Sequence, residues 1–284
     1  MVIPPYVILD PLLRSWLQED IGRGDRTTAG LGAIVHQPHH AIWMTKAPGV
    51  IAGLPIAQRV FVLLDGEAQF KPLVSEGDYC EAGTAIADIN GSLGALLTGE
   101  RVALNLAMRL SGIATLTRQY VDQIVDLPAQ LVDTRKTTPG LRILEKYATS
   151  IGGARNHRLG LDDGVMIKDN HIAAAGSIAA AVTNIRQGLP YPLTIEIETE
   201  SLAMVEAALA ANVDIIMLDN MAPADMAKAV TRIRQTHAHI KIEASGNVTL
   251  DTLRAVAATG VDYISTSAPI TRSPWLDLSM RIKQ

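Results

Sequence analysis

The chain has 284 residues and a formal net charge of −4, with 48% hydrophobic and 19% charged residues. This composition excludes a disordered chain, and the slightly acidic balance argues against general binding to nucleic acid or to a membrane surface. No uncharged segment is long enough to cross a bilayer, no secretory signal is expected at the start, and the single cysteine cannot form an internal disulfide. We therefore expect a soluble, cytoplasmic protein.

The first hundred residues predict a small β-containing unit followed by a long helical region. Segments 41–45 and 69–74 are strand candidates, and the glycine and aspartate spacing between 76 and 84 is typical of tight turns. Apolar residues at helical spacing predict a helix from about 92 to 125, with Gly99 and Gly112 as expected breaks.

From about residue 130, apolar strands alternate with amphipathic helices. The predicted strands are 130–133, 165–168, 193–198, 215–219, 240–244 and 263–265, and the main predicted helices are 141–151, 201–212, 223–236 and 250–259. This alternation indicates an α/β fold with a parallel sheet covered on both faces. Six repeats without a dinucleotide-binding fingerprint favour a barrel over an open sheet.

Polar clusters follow nearly every predicted strand, where a barrel carries its active site. The clusters are Asp133-Thr134-Arg135-Lys136, Lys168-Asp169-Asn170, Glu196 with Glu198, Asp219-Asn220, and Ser245-Gly246. Residues 133–168 hold seven Arg or Lys against four Asp or Glu, which suits a ligand with several anionic groups. Glu198 and Asp219 end adjacent strands and suit Mg²⁺ shared with a pyrophosphate, and Ser245-Gly246 opens a helix that could cradle phosphate.

Other polar residues have less specific interpretations. Arg142 and Lys146 are interpreted as a solvated helix face. His171 is left open between a capping or packing role and a role in the site. The histidines near residues 36–40 and 237–239 are interpreted as surface residues rather than metal ligands.

Long motifs in this chain resemble those of the quinolinate phosphoribosyltransferase family. The resemblance lies in DTRKTTPGLR (133–142) with EKYA (145–148), NHRLGL (156–161), IKDNHI (167–172), EIE (196–198), IMLDNM (216–221), EASG (243–246), EDIGRGD (19–25) and ER (100–101). It covers essentially the whole chain.

The resemblance implies a type II phosphoribosyltransferase-like fold and a reaction. An N-terminal α/β sandwich domain (1–115, with the tail 274–284 returning to it) precedes an incomplete β/α barrel (116–273). The implied reaction, in de novo NAD biosynthesis, transfers phosphoribosyl from phosphoribosyl pyrophosphate to quinolinate. It gives nicotinate mononucleotide, carbon dioxide and pyrophosphate. The family also implies a homodimer in which each site is completed by the partner chain.

The family's residue roles carry over to matching positions of this sequence. Arg101 of the partner, Arg135, His157 and Arg158 would hold the quinolinate carboxylates. Lys136 and Lys168 would lie between the substrates, Glu198 and Asp219 would serve the ribose and Mg²⁺, and Ser245 and Gly246 would bind phosphate. The chain departs from the family at 267–273, where SAPITRS replaces the usual Gly-Ala-Leu-Thr-His-Ser, so the phosphate contacts of that loop stay open.

Three alternatives to this function stay open at the level of sequence. A related phosphoribosyltransferase, or a relative in molybdenum metabolism, could share the fold with a different substrate. A Schiff-base lyase or aldolase would use Lys136 or Lys168 at a barrel strand end. An anion-binding module without catalysis would leave Glu198 and Asp219 unexplained.

Overall fold

The structure is a computed structural model that describes residues 3–283. The chain divides into two compact units. Unit 1 comprises the described residues up to Arg118, Ile143–Gly152 and the residues from Arg272 onward, and unit 2 comprises Gln119–Arg142 and Gly153–Thr271. Unit 1 thus includes residues 143–152, which the sequence-based division assigned to the second domain. The domain boundaries drawn from the sequence stay a prediction.

Unit 1 combines antiparallel β-sheet with helices. Its helices, wholly or mainly, are α1 (Tyr6–Ile21), α2 (Arg26–Ala29), α3 (Leu54–Leu64), α4 (Leu93–Asp122) and α5 (Arg142–Ile151). Its strands are β1 (Pro38–Thr45), β2 (Gly49–Val50), β3 (Gln69–Pro72), β4 (Tyr79–Cys80), β5 (Ala85–Ser92) and β12 (Leu278–Lys283). The main sheet has the order β12-β1-β5-β3, so the end of the chain pairs with β1.

An aromatic cluster joins the sheet of unit 1 to α3. Trp43 on β1 is fully buried, and its ring centroid lies 5.8 Å from that of Phe70 on β3 and 6.2 Å from that of Phe61 on α3. Both pairs meet edge to face, which adds to the free energy of apolar burial. Helices α1 and α3 were not predicted, because the short apolar runs in this part of the sequence were interpreted as part of a β-rich unit.

Helix α4 runs without interruption from Leu93 to Asp122, so the expected breaks at Gly99 and Gly112 were wrong. Both glycines instead allow close packing inside unit 1. A Cβ at Gly112 would lie 1.9 Å from the carbonyl oxygen of Pro274, and one at Gly99 would lie 3.0–3.1 Å from Leu64 and Phe61 side chains. The missing side chain is therefore a packing requirement rather than a helix end.

Helix α5 is unusually buried for a helix with so many polar residues. Lys146 and Glu145 have no exposed surface, and Glu145 Oε1 accepts a hydrogen bond of 2.7 Å from Arg109. Arg142, in unit 2, donates to Thr137 Oγ1 and the carbonyl of Leu159, at 3.1 Å each. The interpretation of Lys146 as part of a solvated face was therefore wrong, whereas Arg142 is partly exposed.

Unit 2 is an α/β layer built on one parallel sheet. Its strands are β6 (Gln130–Val132), β7 (Val165–Ile167), β8 (Ile195–Thr199), β9 (Ile215–Asp219), β10 (Lys241–Ser245) and β11 (Tyr263–Ser265). Its helices are α6 (Asp169–Ala175), α7 (Ile178–Gly188), α8 (Leu202–Ala210), α9 (Pro223–Thr236), α10 (Leu250–Ala257) and α11 (Ala268–Thr271). The strand order β6-β11-β10-β9-β8-β7 places β6 and β7 at the two edges.

The edge of β6 is extended by a short segment rather than by β7. Val132 and Arg155 form a parallel bridge, with the Asp133 N–H donating to the Arg155 carbonyl at 3.1 Å and the Arg155 N–H to the Leu131 carbonyl at 2.9 Å. The sheet is thus an incomplete barrel, and the α/β fold class expected from the sequence is confirmed. Within residues 3–283, no helix combines the length and apolar character needed to cross a bilayer.

Candidate active site

Nine of the ten predicted site residues lie in unit 2, at or beside the carboxyl ends of its strands: Arg135, Lys136, His157, Arg158, Lys168, Glu198, Asp219, Ser245 and Gly246. The tenth, Arg101, lies on α4 in unit 1 with an exposed side chain. Parallel strands bring their carboxyl ends to one edge of the sheet, which is why residues far apart in sequence come together in unit 2.

Asp133 fixes the segment that carries His157 and Arg158. Its side chain is only 3% exposed. One carboxylate oxygen accepts the backbone N–H of His157 at 2.8 Å, and the other accepts the Asn156 side-chain amide at 2.6 Å. Charge-assisted hydrogen bonds of this kind are stronger than neutral ones, so the end of β6 and the 155–158 segment are held as one piece.

His157 lies between two buried glutamates. Its Nε2 is 3.1 Å from Glu196 Oε2 on β8 and 3.5 Å from Glu243 Oε2 on β10. Burial alone would lower the pKa of His157, but the hydrogen bonds to Glu196 and Glu243 and their charges outweigh it and raise the pKa to about 10. Burial raises the pKa of the Glu196 carboxyl, which the hydrogen bond from His157 partly offsets.

A hydrogen bond from the backbone to the His157 ring favours the neutral form of that ring. The Arg158 N–H points at His157 Nδ1 at 2.7 Å, and only a neutral ring can accept that hydrogen bond. A neutral His157 would leave two buried carboxylates without a counter-charge, which costs several kcal/mol. We therefore assign the imidazolium as the favoured form, in which Nδ1 carries a proton and cannot accept a hydrogen bond from the Arg158 N–H.

A cavity of about 560 Å³ borders this cluster and reaches the amino ends of the strands, where it is lined by Thr194, Ile215, Lys241 and Tyr263. Within the described residues, Glu196 Oε1 and Glu243 Oε1 are buried without a hydrogen-bond partner. Ligand atoms of His157, Glu196 and Glu243 lie within 4.8 Å of one another. The charged ring of His157 supplies the counter-charge for the two glutamates. An imidazole nitrogen is a poor ligand for Mg²⁺.

Two guanidinium groups form the basic part of the site. Arg158 donates to the carbonyl of Gly164 at 2.8 Å, and burial together with the charge of Arg135 lowers its pKa. Within residues 3–283, Arg135 Nε is buried and has no hydrogen-bond partner. Two neighbouring guanidinium groups repel each other unless an anion lies between them, so this arrangement suits a carboxylate ligand.

Lys168 and Glu198 are in direct contact between β7 and β8. Lys168 Nζ donates to Glu198 Oε1, and both side chains are partly exposed. The N–H of Lys168 donates to His171 Nδ1 at 2.9 Å, so His171 caps the start of α6. This contact gives His171 the capping role that the sequence had left open. Lys136, in the loop after β6, is exposed, and its N–H donates to Thr134 Oγ1 at 3.1 Å.

Asp219 and Ser245 are register partners at the ends of β9 and β10. Gly246 follows with a φ of +97°, which a residue with a side chain rarely adopts. The carboxylates Glu198 and Asp219 offer the oxygen ligands that Mg²⁺ uses together with substrate phosphates. Both side chains are partly accessible, so these residues fit a magnesium ion shared with a bound ligand.

The loop that departs from the family's sequence forms a short helical turn. The Ser267 carbonyl accepts the N–H groups of Ile270 at 3.0 Å and Thr271 at 2.9 Å, and the Ala268 N–H donates to Thr266 Oγ1 at 3.2 Å. This turn begins two residues after the end of β11.

Three polar residues that organise this edge were named in the sequence motifs but were given no role of their own. Asp133 anchors the His157 segment, Glu243 completes the charge cluster, and Asn220 joins the β9 and β10 loops. The spacing of Glu196 and Glu198 along β8 did indicate a shared polar face, because residues two apart on a strand point to the same side.

The comparisons with known proteins agree over the whole chain. The profile described as quinolinate phosphoribosyl transferase, N-terminal domain, matches residues 25–111, and that of the C-terminal domain matches 113–281. The chain is 63% identical over 280 residues to a probable nicotinate-nucleotide pyrophosphorylase (carboxylating) from Synechocystis, covering 99% of this chain and 94% of that protein. It is 45% identical over 277 residues to one from Bacillus subtilis, covering 98% and 94%. The crystal structure of NadC from Streptococcus pyogenes superposes with a TM-score of 0.94 at 40% identity, covering 100% of this chain and 99% of that one.

Proposed function

Because the chain belongs to the quinolinate phosphoribosyltransferase family, we propose that it transfers phosphoribosyl to quinolinate with decarboxylation. The enzyme is a pentosyltransferase of de novo NAD biosynthesis. It converts quinolinate and phosphoribosyl pyrophosphate to nicotinate mononucleotide, carbon dioxide and pyrophosphate. Relatives that align over 98–99% of the chain carry names for this activity.

The observation that carries the proposal is the pair of guanidinium groups at Arg135 and Arg158. The charge of Arg135 lowers the pKa of Arg158, and the buried Nε of Arg135 has no partner in the described part of the chain. An arginine fork pairs with a planar carboxylate through two parallel hydrogen bonds. A pyridine dicarboxylate supplies two such groups on one rigid ring, which suits two neighbouring forks.

The reaction needs orientation and charge stabilisation more than a nucleophilic side chain. The pyridine nitrogen attacks C1 of the ribose while the bond from C1 to pyrophosphate breaks. The 2-carboxylate then leaves as carbon dioxide, its bonding electrons stay on the ring carbon next to the cationic nitrogen, and a proton replaces it. In the proposal, Arg135, Arg158 and His157 hold the dicarboxylate. Lys136 and Lys168 lie between the two substrates.

Magnesium is part of the proposal, with Glu198 and Asp219 as the residues that hold it together with the ribose. When bound, the ion neutralises charge on the pyrophosphate. Lys168 contacts Glu198, so it can hold this carboxylate in place at the sheet edge. Asp219 lies next to Ser245 in the strand register, which places the proposed metal ligand beside the proposed phosphate turn.

We further propose a homodimer in which Arg101 of one chain serves the site of the other, and a cytoplasmic location. Arg101 is exposed on α4, and a dicarboxylate together with several phosphates suits a site with many cationic groups. The single cysteine, Cys80, is compatible with a reducing compartment.

The test is an assay with quinolinate, phosphoribosyl pyrophosphate and MgCl₂ that follows nicotinate mononucleotide and carbon dioxide. We expect both products in equal amounts, and none when nicotinate replaces quinolinate. Turnover of nicotinate without carbon dioxide would assign a related phosphoribosyltransferase instead. Covalent trapping of Lys136 or Lys168 by borohydride in the presence of substrate would favour a Schiff-base enzyme.

A further inference from the structure

Asn220 sits at the junction of two loops that the proposed reaction uses. It follows Asp219 at the end of β9, and its N–H donates to the carbonyl of Ser245 at 2.9 Å. This bond continues the pairing of β9 with β10 by one residue beyond the last register pair, Asp219 with Ser245. The backbone of Asn220 therefore ties the loop after β9 to the loop after β10.

The side chain of Asn220 makes a second connection between the same loops. Its Nδ2 donates to Asp219 Oδ2 at 2.9 Å, and its Oδ1 accepts from Asn247 Nδ2 at 3.2 Å. The amide thus donates to the β9 side and accepts from the β10 side. A carboxylate could accept but not donate, and an aliphatic side chain could do neither.

The backbone around this contact is held in an uncommon conformation. Asn220 has a φ of +54° and Asn247 a φ of +49°, and Gly246 between the two contacts has a φ of +97°. A Cβ at Gly246 would lie 2.2 Å from Asn220 Oδ1 and 2.5 Å from its Cγ. The carboxamide of Asn220 therefore lies directly against the Gly246 backbone, and only glycine leaves room for it.

We propose that Asn220 is a positioning residue that holds the carboxylate of Asp219 and the turn Ser245–Asn247 in one fixed arrangement. This inference rests on the proposed function, in which Asp219 serves the ribose and magnesium and the turn binds phosphate. Phosphoribosyl pyrophosphate is one molecule with anionic groups at both ends. A site whose two binding groups are already held at a fixed spacing spends less free energy on ordering them when the ligand binds than a flexible site does.

A purely local explanation makes a different prediction. Asparagine tolerates the left-handed region better than most residues, so Asn220 could serve only to let the chain turn after β9. Under that explanation, glycine would replace it without a specific effect on either substrate, because glycine adopts this conformation freely.

The test compares Asn220→Gly and Asn220→Asp with the unaltered enzyme in the same assay. Asn220→Gly keeps the backbone conformation and removes both side-chain hydrogen bonds. We expect KM for phosphoribosyl pyrophosphate to rise roughly 10-fold, the size of effect expected from losing one or two hydrogen bonds, with KM for quinolinate changed less than about 2-fold. Asn220→Asp keeps the shape, loses the donor and adds a negative charge beside Asp219, so we expect a larger rise.

Asn212 provides a matched control, because it has the same φ of +54° at the end of α8. Asn212→Gly should leave both KM values unchanged. If Asn220→Gly behaves like Asn212→Gly, or raises both KM values equally while lowering Tm, the positioning role is wrong. These outcomes require an active unaltered enzyme. An inactive unaltered enzyme would overturn the proposed function, and this inference would fall with it.

Discussion

His157 Nε2 lies 3.1 Å from Glu196 Oε2 on β8, in a sheet whose buried side chains are mostly apolar. Barrel interiors are usually filled by branched aliphatic side chains. Two glutamates and a histidine in this position therefore need to compensate one another. The charged histidine is the positive partner of both glutamates, and the cluster adjoins Arg158.

The first prediction concerns the protonation of His157. The raised pKa of about 10 means that the ring stays charged at neutral pH, against an ordinary value of about 6.5. NMR of the histidine ring signals should show one resonance that does not titrate between pH 6 and 8 and that is missing in His157→Gln. Glu196→Gln should lower this pKa.

The same shift has a consequence for stability. The pKa of His157 is higher in the folded state than in the unfolded state. The stability that the charged ring adds to the fold is therefore complete below about pH 6.5 and is lost as the pH rises toward about 10. The free energy of unfolding of the unaltered protein should therefore exceed that of His157→Gln by more at pH 6 than at pH 9.5. An equal difference at both values would contradict the charged ring.

The second prediction concerns the fork of Arg135. Arg135→Lys keeps the positive charge but loses the paired N–H donors, so kcat/KM should fall by roughly 10- to 100-fold, equivalent to about 1.5–3 kcal/mol. Arg254→Lys is the control, because Arg254 forms an exposed ion pair with Asp126 at 2.7 Å. A lysine variant at 135 with unaltered activity would rule out the bidentate role.

The third prediction separates the two substrates at Asp219. Asp219→Asn should weaken phosphoribosyl pyrophosphate binding and change the dependence on magnesium, because the carboxylate is assigned to the ribose and the ion. Quinolinate binding, measured alone by calorimetry, should stay nearly intact. Asp225→Asn, at an exposed carboxylate that pairs with Lys228, is the control. An equal loss of quinolinate affinity would mean that Asp219 belongs to the pyridine subsite.

The fourth prediction tests the shared site of the proposed homodimer. Arg101→Ala and Lys136→Ala should each be nearly inactive alone. If Arg101 acts across the interface, a mixed dimer has one site with both changes and one site with neither, so activity should return toward half. If Arg101 acts within its own chain, both sites keep one change and the mixture stays inactive. Subunit exchange is verified with two differently tagged chains.

The fifth prediction concerns the close packing of α4. Gly112→Ala adds a methyl group 1.9 Å from the Pro274 carbonyl oxygen. The expected loss of about 1–3 kcal/mol of unfolding free energy from overpacking should exceed the gain of about 1 kcal/mol from better helix propensity. Gly188→Ala, with no atom within 4 Å of the added carbon, should not destabilise. Urea denaturation of both variants gives the comparison.

The sequence by itself determined the strand and helix alternation of unit 2. Strands β9 and β11 have the predicted bounds, and helix α9 matches at both ends. Buried parallel strands must be continuously apolar, and helices between them must be amphipathic, so the pattern is written locally along the chain. The motifs also predict which strand ends carry chemistry, and these site residues stay a prediction.

Only the tertiary structure decided how polar residues on different strands meet. Glu196 and Glu243 lie on β8 and β10, separated by β9, and both contact His157. The link from Asn220 to Asn247 likewise joins two loops 27 residues apart. The sequence could not decide whether α4 continues through Gly99 and Gly112. A glycine that ends a helix and a glycine that makes room for another segment of the same chain look alike in the local sequence. What distinguishes them is the atom that fills the space of the missing side chain.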